Sequence, residues 1–316
     1  MQADKIYSGI DEAGYGPVIG PFTCASFESP YGADFWGSRL DIFRGNKGKG
    51  LPLVNDSKVL NRGKKTFKGY FSSGFAELEK TVLALYYTAC GGRLPENAEK
   101  LADMFYGGDK LPYWSGAADV RLPVACGLSG ALSAGKALKG SVPENSMMIA
   151  ARIMYPGEIN AALEKVNKTG LVKESFSYLI KRTLMLSDGD AEFECGKMSG
   201  TVYYGGFMKE MFPGRGVRAE KESVCLSSYG VEAHRGVKIS FILDGDSSSF
   251  RIALASMLAK YIRDILTYSM NLYFQKHKAD IAFSKGYSPD GLRFAADTKE
   301  IRYKLGIKDW EFIRNK

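Results

Sequence analysis

Histidine is scarce in this chain: only His234 and His277 occur among 316 residues. A Ser-His-Asp triad or a histidine-rich metal site therefore has almost nothing to draw on. The five cysteines (Cys24, Cys90, Cys126, Cys195, Cys225) lie far apart and form no C-x-x-C pair. That pattern argues against a disulfide frame or a zinc site and is expected of reduced thiols in a cytoplasmic protein. No apolar run approaches the ~18 residues needed to cross a bilayer, so no membrane partner is expected. Met1–Tyr7 lacks the apolar stretch of a secretory signal. There is no internal repeat and no low-complexity tract. Acid–base or metal chemistry must rest mainly on carboxylates.

What is present is an ordinary globular balance, 45% hydrophobic and 25% charged residues. At ~150 residues per domain the length allows one large domain or two smaller ones. Lys and Arg exceed Asp and Glu to give +8, which favours a polyanionic partner. Apolar segments at Lys5–Ile10 and Phe22–Phe27 flank a Gly/Pro turn and read as a hairpin. Residues 41–66 are basic and glycine-rich (Arg44, Lys47, Lys49, Lys58, Arg62, Lys64, Lys65) and read as loop. Helical spacing marks 74–90, 128–138, 157–168 and 174–186, and strands are expected at 147–154, 192–197, 201–204 and 237–243. The strongest helix is Phe250–Gln275, with Ser247–Ser249 as N-cap candidates. Strands alternating with helices predict an α/β fold.

Asp11 and Glu12 stand together at the end of the first apolar segment, before Gly14, Gly16 and Pro17. Adjacent anions there repel one another and are costly to desolvate unless a cation joins them. A glycine turn lets a backbone N–H approach a sugar or phosphate closely. A divalent ion on this pair suits phosphodiester chemistry.

The string Gly9-Ile10-Asp11-Glu12-Ala13-Gly14-Tyr15-Gly16-Pro17 resembles the opening strand and turn of the type 2 ribonucleases H (ribonuclease HII). Three further stretches resemble that family in the same order. They are Asn55–Leu60 (NDSKVL), Gly245–Asp264 (GDSSSFRIALASMLAKYIRD) and Lys285-Gly286-Tyr287. The resemblance implies a ribonuclease H-like fold, with a mixed central sheet flanked by helices. It implies four carboxylates that bind Mg²⁺ or Mn²⁺ and cleave the RNA strand of RNA–DNA hybrids, or ribonucleotides embedded in duplex DNA. Matched position by position, Asp11, Glu12 and Asp246 are three of the four. The fourth falls on Cys195 or Gly196, neither of them a carboxylate. Glu194 and Asp244 are the nearby acids considered as substitutes, each with an ordinary strand acid as the plainer reading. For substrate, the resemblance points to Gly14, Gly16, Lys58 and Tyr287; Tyr15 stands where the family has arginine. Asp264, spaced i, i+4 from Lys260, is expected to give structural support.

The whole chain is expected to be one ribonuclease H-like domain and a monomer. Residues 67–146 are a probable insertion whose aromatics (Tyr86, Tyr87, Phe105, Tyr106, Tyr113, Trp114) build a subdomain core or, alternatively, stack on bases. Residues 288–316 read as a basic helical extension on the nucleic-acid face. The alternative function is a catalytically impaired nucleic-acid-binding protein that keeps the fold.

Overall fold

The fold was read from a computed structural model that describes residues 5–43, 51–60, 65–67, 69–106, 110–198, 200–232 and 236–315. The chain opens with β1 (Ile6–Ala13), β2 (Phe22–Ser29), α1 (Ala33–Gly37), β3 (Asp41–Ile42), β4 (Leu53–Val54), α2 (Ser57–Leu60), β5 (Lys65–Phe67) and β6 (Phe71–Ser72). Then come α3 (Phe75–Ala89), α4 (Ala98–Asp103), α5 (Leu128–Ser141), β7 (Met148–Met154), α6 (Pro156–Leu163), α7 (Lys168–Met185), β8 (Ala191–Gly196) and α8 (Gly205–Met211). The last part holds β9 (Val217–Glu222), β10 (Leu226–Val231), β11 (Val237–Ile242), α9 (Gly245–Ser248), α10 (Phe250–His277), α11 (Asp290–Asp297), α12 (Lys299–Lys304) and α13 (Asp309–Phe312).

The main sheet has seven strands in the order β7-β2-β1-β8-β11-β10-β9. β1 runs antiparallel to β2 and parallel to β8, and β8 runs parallel to β11. This is the expected α/β class, a mixed sheet with helices on both sides. On one side α7 and α8 pack Phe176, Leu179, Phe207 and Met208 against Phe193, Ile239 and Phe241. On the other, α10 lies between the sheet and α3 with α5. Ser249 caps α10 by accepting the Ile252 N–H at 3.3 Å. α10 is buried on nearly every side, which is why its sequence is apolar around most of its circumference.

Segment 67–146 packs into this same core rather than around one of its own: Phe75, Leu78, Val82, Leu101, Phe105, Trp114 and Leu138 share it with α10. The Glu79 carboxylate, fully buried, accepts the N–H groups of Val124 (2.8 Å), Ala125 (2.6 Å) and Cys126 (2.8 Å) and the Tyr261 hydroxyl (3.0 Å). It pins the loop before α5 to the central helix. Tyr113 is exposed. The C-terminal part of the chain holds α11, α12 and α13.

Several segment expectations need correction. The stretch 41–66, expected as loop, holds β3, β4, α2 and the start of β5, and the helix expected over 157–168 stops at Leu163. Residues 201–204 form no strand; they lead into α8. Tyr204 is anchored instead by side-chain contacts: its hydroxyl accepts the Met198 N–H (2.9 Å) and its ring stacks on Phe241 at 3.8 Å. The second helix after β7 begins at Lys168, not 174, because Asn167 caps it by accepting the Gly170 N–H at 2.8 Å. The sequence reading also missed the β9–β10 pair. Among the described residues no helix is long and apolar enough to cross a membrane. His234, the basic residues Arg44, Lys47, Lys49, Arg62 and Lys64, the Lys65 side chain and Lys316 lie outside the described residues.

Candidate metal centre and substrate cavity

The ends of β1, β8 and β11 open onto one cavity of about 350 Å³. It is lined by Asp11 and Glu12, by Gly14, Tyr15 and Gly16, by Lys58, by Asp244 and Asp246, and by Tyr287. β1 continues through Ala13, so Asp11 and Glu12 end a strand, as expected. Asp246 does not: β11 stops at Ile242, Asp244 takes a left-handed turn (φ 48°), and Asp246 sits in the short helix α9.

Asp11 faces α10. The Ser256 hydroxyl of that helix favours its charged form, and Ser57 Oγ lies 3.2 Å from Ser256 Oγ. Lys58 Nζ stands 3.8 Å from Asp246 Oδ2. Burial pushes the Asp11 carboxyl well above the usual carboxylate range, and the charges of Glu12 and Asp246 push it further. Burial also raises Glu12 to about 7 and raises Asp246, which Lys58 partly offsets. Cys24 is raised by burial and by Glu12 and Asp11.

Gly14 has a φ of 93°, and a Cβ there would meet Pro21 O at 2.9 Å, so the turn requires glycine. A Cβ on Gly16 would touch the Tyr287 ring at 3.6 Å. Tyr15 and Tyr287 are both exposed at the cavity. Lys168 Nζ lies 6.0 Å from the Tyr15 ring centre.

The register of β8 on β1 sets which way Cys195 and Gly196 face. Cys195 is fully buried in the core against α7 and α8. Gly196, on the opposite face, stands beside Asp11: a Cβ there would lie 2.3 Å from Asp11 Oδ1. Glu194 shares that face but does not line the cavity. Arg251 holds it by two hydrogen bonds (3.0 and 2.9 Å), and Ser249 donates a third. Glu194, weighed above as a substitute, is instead engaged by Ser249 and Arg251 at the start of α10. Asp244 does line the cavity.

Several lining residues escaped the sequence reading. Lys197 donates to Ser223 O and to Ser227 Oγ (2.9 Å) at the rim. Arg263 lies 5.0 Å from the Tyr287 ring centre and donates to Asp264 Oδ1 at 2.7 Å. Its only advance signal was membership of the Gly245–Asp264 stretch. Asp264 also pairs with Lys260 at 3.4 Å, the structural role expected. Lys285, two residues before Tyr287, is directed away from the cavity, with Nζ 3.4 Å from the Tyr70 ring centre.

The donor set is all carboxylate oxygen, which suits a hard divalent cation. The upward-shifted acids mark a deficit of positive charge that such an ion relieves. Among the described residues, however, no three His, Cys, Asp or Glu side chains are already gathered as ligands.

These shifts have a consequence for stability without metal. A carboxyl raised in the folded state keeps its proton after the unfolded chain has lost its own. The folded state then binds more protons, and stability falls as pH rises from about 4.5 through about 7. In chelator the Tm is expected to fall by a few degrees between about pH 5 and pH 8. Glu12→Gln should flatten that slope, and a slope equal to the unaltered protein's would contradict the assignment.

No protein-family model matches the chain, and no curated protein matches it. Among solved structures it is similar to ribonuclease HII from Archaeoglobus fulgidus, solved in complex with PCNA. That match has 12% identity and a TM-score of 0.41, and covers 98% of this chain and 93% of the other. It is also similar to ribonuclease H2 from Pyrococcus horikoshii OT3, at 15% identity and a TM-score of 0.42, over 97% of this chain and 92% of the other.

Proposed function

We propose that the chain is a divalent-metal-dependent endoribonuclease of the ribonuclease H kind, acting on RNA–DNA hybrids or on ribonucleotides within duplex DNA. One observation carries this reading. Four stretches scattered between residues 9 and 287, each resembling ribonuclease HII, deliver Asp11, Glu12, Gly14, Tyr15, Gly16, Lys58, Asp246 and Tyr287 to a single cavity. Asp11, Glu12 and Asp246 would hold Mg²⁺ or Mn²⁺, which when bound supplies Lewis-acid activation of water and phosphate. Ser256 orients Asp11. The Gly14–Gly16 backbone offers its amides to a ribose hydroxyl, the group that separates RNA from DNA. The exposed faces of Tyr15 and Tyr287 can pack on sugar or base. Lys58 places a cation beside Asp246 where phosphate would arrive.

The second reading, a nucleic-acid-binding protein with little turnover, is favoured by glycine at 196 and by the engagement of Glu194 with Arg251. The deciding experiment is cleavage of a labelled hybrid in Mn²⁺ and in Mg²⁺. The nuclease reading expects slow cleavage, several-fold faster in Mn²⁺, because Mg²⁺ demands a near-ideal octahedron. Binding without any cleavage in Mn²⁺ would establish the second reading instead.

Affinity offers a further check. Each phosphate neutralised by a lysine or arginine releases counterions, so hybrid binding should weaken steeply between about 50 and 200 mM salt. A flat salt titration would remove the polyanion from the proposal.

A further inference from the structure

The segment Asp309–Asn315 is a strap laid between two parts of the molecule. On one side Asn160 of α6 donates its amide to Trp310 O (2.7 Å) and Ile313 O (2.8 Å) and accepts the Asn315 N–H (2.7 Å). On the other side Ile313 bridges to Ile19, and the Arg314 N–H donates to Val18 O at 2.8 Å. The Arg314 guanidinium, 7% exposed, gives its donors to backbone carbonyls. Nε and Nη2 reach Gly20 O at 3.0 and 2.7 Å, and Nη1 reaches Gly14 O. Among the described residues no carboxylate pairs with it.

Gly14 and Gly20 are the two ends of the turn that presents Tyr15 and Gly16 to the cavity, and both have positive φ (93° and 80°). A planar fork with several donors ties two carbonyls six positions apart in a fixed relation that a rotatable ammonium does not impose. The same turn is held elsewhere by Gly286, whose carbonyl accepts the Val18 N–H at 2.7 Å. A buried cation without a counter-ion is costly to keep. Here it raises the potential beneath a turn whose position 15 is tyrosine.

We propose that Arg314 is the positioning residue of the Gly14–Gly20 turn, so that docking of the 309–315 strap sets the cavity's affinity for a polyanionic strand. The ligand's identity rests on the nuclease reading; the shape of the turn does not.

Two readouts separate these. Amide hydrogen exchange over residues 14–20 reports the turn without substrate. The Kd for a labelled hybrid in chelator, with KM and kcat in Mn²⁺, reports affinity. Arg314→Lys keeps the charge and loses the fork; Arg314→Gln loses both. Each is expected to speed exchange at 14–20 by ~10-fold or more, with α10 unchanged, and to raise Kd and KM by about 10-fold while kcat stays within about twofold. Unchanged exchange at 14–20 in either folded variant overturns the proposal. Should Arg314→Gln not fold, Asn160→Ala loosens the strap from its far side. It should give the same pattern more weakly, and unchanged exchange there is equally fatal. Faster exchange with unchanged Kd and KM overturns the link to affinity. Faster exchange in a protein whose unaltered form binds no hybrid supports the positioning role and sinks the nuclease reading.

Discussion

Gly196→Asp is expected to raise the rate of hybrid cleavage in Mg²⁺ by ~10²-fold or more, the scale of a lost second-metal contribution. Gly196 lies beside Asp11 on the face toward α10, where a further carboxylate would join Asp11, Glu12 and Asp246. The new Cβ would come within 2.3 Å of Asp11 Oδ1, the free end of a side chain, so Asp11 must swing aside rather than the backbone. Without metal the added charge repels its neighbours, and the variant's Tm should fall. With Mg²⁺ or Mn²⁺ that loss should reverse, because an ion that binds only the folded state stabilises it by mass action. Cys195→Asp is the control: its side chain points into the opposite core and should destabilise the fold without raising the rate. Glu194→Gln should weaken the Arg251 contact and leave the metal response intact. A folded Gly196→Asp protein with an unchanged rate at saturating metal would refute the deficient second site.

Gly9→Ala is expected to cost about 3 kcal/mol or more in stability, as overpacking at an unyielding contact does. α10 crosses β1 so closely that a Cβ on Gly9 would stand 2.2 Å from Arg251 C and 2.3 Å from Arg251 O. Both are backbone atoms, so a side-chain rotation cannot relieve the conflict; helix and strand must separate. Asp11 follows on that strand, while Ser256, which lines the same cavity, rides on the helix. The same substitution should therefore lower metal affinity along with Tm in urea and thermal melts. Normal stability in Gly9→Ala would mean that the helix sits further from the sheet than described here.

The parts of the fold readable from sequence were those where local pattern and tertiary role coincide. The period of α10, the buried run of β7 and the Asp-Glu end of β1 all belong here. β9 failed this test: Val217–Glu222 (VRAEKE) is an exposed edge strand whose charged residues leave no apolar alternation to read. Tyr204 failed it differently, since a β-favouring residue is placed by a ring stack and not by a ladder. In the site, the motif positions were legible because their chemistry is carried by residue type. The engagement of Glu194 was not, because Arg251 lies 57 positions away and only the approach of α10 to β8 brings them together. Arg314 lies still further from its partners: 294 positions separate it from Gly20.

The placement of α10 also bears on how the protein is made. The helix that fills the space between the sheet and α3 with α5 is encoded after nearly all of the elements it joins. As the polypeptide leaves the ribosome, β1, β2, β7 and α3 emerge with the sides meant for α10 uncovered, and stay so until residue 277 has cleared the exit tunnel. Only the face that packs on α7 and α8 can be covered before then. Nascent chains present apolar surface for most of their synthesis, the condition under which chaperone capture competes with aggregation.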